Sequence, residues 1–288
     1  MVFIHRWNPN RLTDLPIILC VGPRDSGKTT LAFSLLHALR DKFDLVFAFC
    51  GSKDTEQQIE AVNPKAFIYP EFSEDTVNTM YEMAETCKIR KSRERTFLIY
   101  LDDLTYDKHF MQKKVLQRVF MNGRHDNMAL IICAQYVMDI PRSQREQIEF
   151  VFVFETSNIG TKNRLFNEFF AVFGKKQFTL FERTLESCTK NFECLVLDKG
   201  RNSRMRRSSQ NSGSIANSVF FYKAPFPIPS FKLCKPHFWE LSRTFERSLE
   251  HRTRTKEREL FQLGNPYRDP DGGVSNVVHK CDENGSPL

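Results

Sequence analysis

"PIILCVGPRDSGKTTL", residues 16–31, leaves an apolar run, crosses a loop opened by Gly22 and closed by Gly27, and enters a helical pattern. Gly22, Gly27, Lys28 and Thr29 satisfy G-x-x-x-x-G-K-[ST] in full, and the strand before and helix after are the context that motif needs. The glycines let backbone N–H groups face inward around a phosphate, and the helix N-terminus adds the positive end of its dipole. Lys28 would reach the β- and γ-phosphates, and the Thr29 hydroxyl would coordinate Mg²⁺. Gly22, Pro23, Arg24, Asp25, Ser26, Gly27, Lys28, Thr29 and Thr30 are therefore the candidate residues for holding a nucleoside triphosphate.

Outward from this loop, short apolar runs alternate with helical patterns. Strands are expected at 16–22, 44–51, 66–70, 96–104, 129–136 and 150–155, with helices over 28–43, 73–92 and 107–122. In the last helix Phe110, Met111, Val115, Leu116, Val119 and Phe120 share one face, and Gly123 stands at the expected C-cap. Strands separated by helices imply an α/β fold with a mostly parallel sheet flanked by helices on both faces.

The chain has 288 residues, 41% of them hydrophobic, enough for a sizeable core, and it uses Phe heavily at 27. Its net charge of +7 favours a polyanionic partner. No apolar run approaches the ~20 residues that span a bilayer, and the N-terminus lacks a signal-peptide pattern, so a membrane span and secretion are not expected. The eight Cys form no CxxC, and Cys20, Cys50 and Cys133 sit inside apolar runs. Reduced thiols are expected rather than a zinc site.

A second acidic element should end a neighbouring strand. "FLIYLDD" supplies Asp102, to hold Mg²⁺ through a water, and Asp103, to orient and polarise an attacking water. "LIICAQY" then ends a buried run on Gln135, a polar residue that is costly there unless paired. That position suits contact with the γ-phosphate or the water. The order of these elements fits a sheet in which one strand lies between the phosphate-loop strand and the acidic strand. Hydrolysis in ring-shaped ATPases usually needs an Arg from a neighbouring subunit. Arg145, then Arg124, are the candidates, with Arg142 in the same region. Two basic runs, "KIRKSRER" (88–95) and "KGRNSRMRR" (199–207), are candidates for contact with a nucleic-acid backbone or are simply solvated surface.

"GPRDSGKTT", "FLIYLDDL", "MNGRHDNMALIICAQYVMDIP" and "REQIEFVFVF" resemble the DNA-packaging ATPases of nucleocytoplasmic large DNA viruses, the poxvirus-type branch of the HerA–FtsK superfamily. The resemblance covers roughly residues 12–198 and is strongest over 96–155. It implies a RecA-like P-loop ATPase core using ATP and Mg²⁺, with Gly22–Thr29 as Walker A, Asp102 and Asp103 as Walker B, and Gln135 as the sensor. It further implies a ring or other multimer that drives double-stranded DNA into a capsid through capsid or portal partners. The setting it implies is the host cytoplasm (viral factory) or the virion. Many superfamily members carry Glu where this chain has Asp103, a shorter arm.

A signalling GTPase would need N-K-x-D and D-x-x-G, and neither stands where it should. A nucleotide kinase would need a lid, for which 88–95 lies before rather than after the acidic strand. A two-lobed helicase would need a second RecA-like domain, for which too few residues follow 200. Another P-loop DNA-dependent ATPase and a non-hydrolysing DNA-binding virion protein stay open. The expected organisation is a core over 1–200, an extension over 201–240 with a basic loop and a possible strand at 218–229, and a charged tail over 241–288.

Overall fold

The computed structural model describes residues 3–89, 95–104, 110–137, 140–174, 176–200 and 218–244. Its strands are β1 (His5–Arg6), β2 (Ile17–Val21), β3 (Leu45–Cys50), β4 (Ile68–Tyr69), β5 (Phe97–Asp102), β6 (Met128–Ala134), β7 (Phe150–Val153), β8 (Glu193–Asp198) and β9 (Val219–Lys223). The helices are α1 (Lys28–Leu39), α2 (Lys53–Glu60), α3 (Glu74–Ile89), α4 (Lys114–Asn122), α5 (Arg142–Gln147), α6 (Ile159–Glu168) and α7 (Phe178–Cys188).

All nine strands form one sheet in the order β1-β9-β8-β7-β2-β6-β5-β3-β4. Pairing is parallel except at β7–β8 and β8–β9. The α/β, mostly parallel sheet expected from the alternating runs is present. β6 lies between β2 and β5, which is the inserted strand that the order of motifs implied.

Residues of β2 to β7 are near-continuously apolar because helices cover both faces. Alternate side chains divide between the two layers: Ile17, Leu19 and Val21 join α3, α4, α6 and α7, whereas Ile18 and Cys20 join α1. Every member of the expected apolar face at 110–120 is buried. Gly123 caps α4 but keeps a right-handed φ of −51°, because the chain continues as a 3-10 turn over Gly123–Asp126. Asn127, at φ 56°, is the left-handed terminator instead. Gly123 serves close approach, since a Cβ there would lie 3.2 Å from the Met128 carbonyl oxygen.

The sheet belongs to a compact unit spanning Met1–Glu240, and the expected tail over 241–288 lies, from residue 245 onward, outside the described residues. The run at 218–229 contributes β9, which joins β8 to β1. Asp198, at the end of β8, is fully buried and ties the N-terminal segment down: it accepts from Trp7 Nε1 at 3.3 Å and from Arg11 Nε at 2.6 Å. Among the described residues no helix is long and apolar enough to cross a membrane.

Candidate active site

In a parallel sheet the carboxyl ends of neighbouring strands open onto one shared crevice. Here three adjacent strands, β2, β6 and β5, deliver the phosphate loop, Gln135 and the aspartate pair.

The loop leaves β2 at Gly22, whose N–H donates to the Ala134 carbonyl at 3.3 Å. A Cβ on Gly22 would stand 2.7 Å from Phe154 Cβ and 2.8 Å from Ser26 Oγ, so no larger residue fits. Asp25 and Gly27 both turn left-handed, at φ 58° and 96°. Pro23, Arg24 and Asp25 are exposed, while Ser26 to Thr30 are half-buried at the start of α1. Ser26 Oγ is buried and has no hydrogen-bond partner. The Lys28 ammonium donates to the carbonyls of Gly22 (2.7 Å) and Pro23. Burial pulls its pKa down, opposed by the nearby carboxylates Asp102 and Asp103.

Asp102 closes β5, in register with Cys50 of β3 and Cys133 of β6. It is only 4% exposed, and burial raises its pKa. Hydrogen bonds from Thr55 and Cys133 act the other way, as does Lys28. Thr55 is itself held by Ser52, the N-cap of α2, whose hydroxyl donates to Thr55 Oγ1 at 3.2 Å. Asp103 follows with a left-handed φ of 49°, turning its carboxylate away from the line of the strand. There it accepts from Gln135 Nε2 at 2.9 Å. The costly polar strand end is therefore paired, and its partner is the second aspartate.

The arginines fall elsewhere. Arg145, the first candidate for a trans-acting arginine, has a side chain only 7% exposed, and it grips Glu168 of the same chain through Nε and a terminal nitrogen, both at 3.1 Å. It also donates to the Ile140 carbonyl. Arg124 lies at the amino end of β6, opposite the phosphate loop, and pairs with Glu149. Arg142 is 82% exposed and reaches Glu146 at 3.5 Å. Most of both basic runs, 90–94 and 201–207, lies outside the described residues. Of their flanks, Arg95 lies over the Phe238 ring at 5.5 Å and Lys199 over Phe169 at 5.6 Å.

Beside the loop, on the β7 side, is a cleft of about 920 Å³ lined by Gly22–Ser26, Gln135, Tyr136, Phe154–Asn158 and Asn191–Phe192. Thr55, Cys133 and, of the cleft, Tyr136, Phe154–Asn158 and Asn191–Phe192 were not singled out as site residues from the sequence. "KDTEQQIE" reads as a polar helix and carries no mark of the aspartate that Thr55 meets.

The chain is similar to several viral proteins. An uncharacterized protein of frog virus 3 is 27% identical over 210 residues, covering 73% of this chain, and the match spans 62% of that protein's length. An uncharacterized protein of invertebrate iridescent virus 3 is 27% identical over 209 residues, covering 73% of this chain and 76% of the relative. Among solved structures, B204, the DNA-packaging ATPase of Sulfolobus turreted icosahedral virus, aligns with a TM-score of 0.50 at 16% identity, covering 74% of this chain and all of B204. That likeness is one of fold. The family model described as Poxvirus A32 protein matches residues 5–181, more than half of the length, and the chain belongs to that family.

Proposed function

We propose that the chain is a Mg²⁺-dependent ATPase that works in a multimer to drive double-stranded viral DNA into a capsid. The observation that carries the enzymatic half is the meeting of Lys28, Asp102, Asp103 and Gln135 at the carboxyl ends of three adjacent strands. Family membership and a fold shared with a DNA-packaging ATPase support the packaging half.

The loop fits a triphosphate on its own evidence. Ser26 Oγ is a buried group lacking a partner, and the Gly22 turn has no space for a side chain. Lys28 holds carbonyl oxygens that a phosphate oxygen, with full negative charge, would outcompete. Thr29 and Asp102 would hold Mg²⁺, which supplies charge neutralisation on the phosphate oxygens. Asp103 is the base that orients the attacking water, and the Gln135 amide fixes the rotamer of its carboxylate.

Of the arginines over 124–145, Arg142 is the most exposed, at 82% against 50% for Arg124 and 7% for Arg145, and it is the residue proposed to act in trans. The basic runs at 88–95 and 199–207 are the proposed DNA contacts. Capsid or portal components are the further partners, and the viral factory in the host cytoplasm, or the virion, is the setting.

The test is ATP hydrolysis with and without duplex DNA, alongside sizing in the presence of nucleotide. Turnover stimulated by DNA, in a nucleotide-dependent multimer, is expected. Equal turnover with and without DNA, together with no DNA binding at low salt, would overturn the motor. Phosphate appearing on an added nucleoside acceptor would make the chain a kinase.

A further inference from the structure

The turn from α7 into β8 sets an aromatic ring against the phosphate loop. Asn191 and Phe192 are both left-handed, at φ 55° and 63°. Asn adopts that region readily, but for a bulky residue such as Phe it is unfavourable. Phe192 is also 68% exposed, although most Phe in this unit are buried. An apolar side chain is thus kept out of the core by a backbone conformation it does not favour, a combination that clusters at ligand clamps.

Its surroundings indicate which ligand. Phe192 Cδ1 stands 3.4 Å from where a Cβ on Gly27 would be, so the ring touches the phosphate loop. The remainder of Phe192 lines the same cleft as Gly22–Ser26 and the polar run Glu155–Asn158. A flat apolar surface next to a phosphate grip, in a cleft with polar walls, matches a nucleoside triphosphate whose base leaves the phosphates in that direction.

We infer that Phe192 is the stacking platform for the base of the bound nucleoside triphosphate; the role rests on the nucleotide reading above. Stacking uses the π-face and not the base edges, so purines are favoured over pyrimidines by the size of their ring system. Gly27 is then constrained twice, by its positive φ and by the ring that lies on it.

Equilibrium binding of ATP, CTP and inorganic tripolyphosphate, each with Mg²⁺, to wild type, Phe192→Ala and Phe192→Trp tests this. Phe192→Ala should weaken ATP roughly tenfold, leave tripolyphosphate unchanged, and be rescued by Phe192→Trp. Wild type should prefer ATP to CTP. If ATP and tripolyphosphate weaken together, Phe192 merely supports the loop and the inference fails. It also fails if ATP affinity is unchanged, including where self-association alone is lost. Wild type that binds tripolyphosphate as tightly as ATP overturns only the base platform. Wild type that binds neither overturns the nucleotide reading itself.

Discussion

The Gln135 side-chain amide donates to the Asp103 carboxylate at 2.9 Å, linking the ends of two neighbouring strands. The link joins a residue that would sense the γ-phosphate to the one that would direct the water. Loss of either partner should therefore slow chemistry more than binding. Asp103→Asn should lower kcat by about 10²–10⁴-fold, and Gln135→Ala by a smaller factor, with KM for ATP little changed in both. Steady-state kinetics with the phosphate released as readout checks the split; a large rise in KM at constant kcat would assign the pair to binding.

Asp102 carries a stability consequence with a definite sign. Burial raises its pKa in the folded chain, so the ionised form is disfavoured there relative to the unfolded chain. The contribution to stability is fully present below the ordinary carboxylate pKa and is lost as pH rises through the folded value. Asp102→Asn should thus melt higher than wild type at neutral pH, and the gap should narrow as pH falls toward ~4. The same variant should lose Mg²⁺-dependent turnover. Thermal melts across pH, without nucleotide, measure the first effect, and a gap that widens on acidification would contradict it.

Lys28 should be read by ligand-induced stabilisation as well as by activity. At a nucleotide concentration of 100 Kd, linkage supplies ~2.7 kcal/mol, or about 5–10 °C in Tm for a unit of this size. Wild type should show this shift with a non-hydrolysable ATP analogue, and Lys28→Ala should show almost none. An equal shift in both proteins would remove Lys28 from the phosphate grip.

The arginines should separate by what they disturb. Arg145→Ala breaks a buried pair with Glu168 and should cost about 2–4 kcal/mol of stability. Arg142→Ala removes an exposed side chain and should leave stability within ~0.5 kcal/mol while lowering turnover of the multimer at least ~10²-fold. Mixing Arg142→Ala subunits with Lys28→Ala subunits should restore some turnover, because an intact Arg142 then faces an intact phosphate loop. No restoration, at unchanged assembly, would withdraw the trans role.

Much of the fold was legible because its signals are local. The phosphate loop combines fixed residues with a strand and a helix on either side, and the runs at 97–102 and 128–134 are apolar enough to be buried on both faces. Gln135 stood out because a polar end to such a run needs a partner, although only the register of β5 against β6 reveals that the partner is Asp103. The pairing of Arg145 was not legible, because the carboxylate it meets comes from the end of α6, 23 residues away in sequence. β1 was invisible, being a two-residue strand with no periodicity, and β8 was hidden by the charged residues at both its ends. Phe192 is a lone residue whose role depends on a backbone angle that no pattern encodes.

The pairing of His5 with Phe220, where β1 meets β9, bears on how the chain is made. A ribosome delivers the N-terminal segment first, yet its partner strand emerges only after the nucleotide-binding half is complete. Trp7 shares this delay, since its neighbours Phe150, Phe152 and Tyr222 also come late. Long-range closure of this kind is slow, and domains generally fold as units during synthesis. The first strand must therefore wait unpaired, with the apolar Trp7 beside it, and its docking marks the completion of the unit.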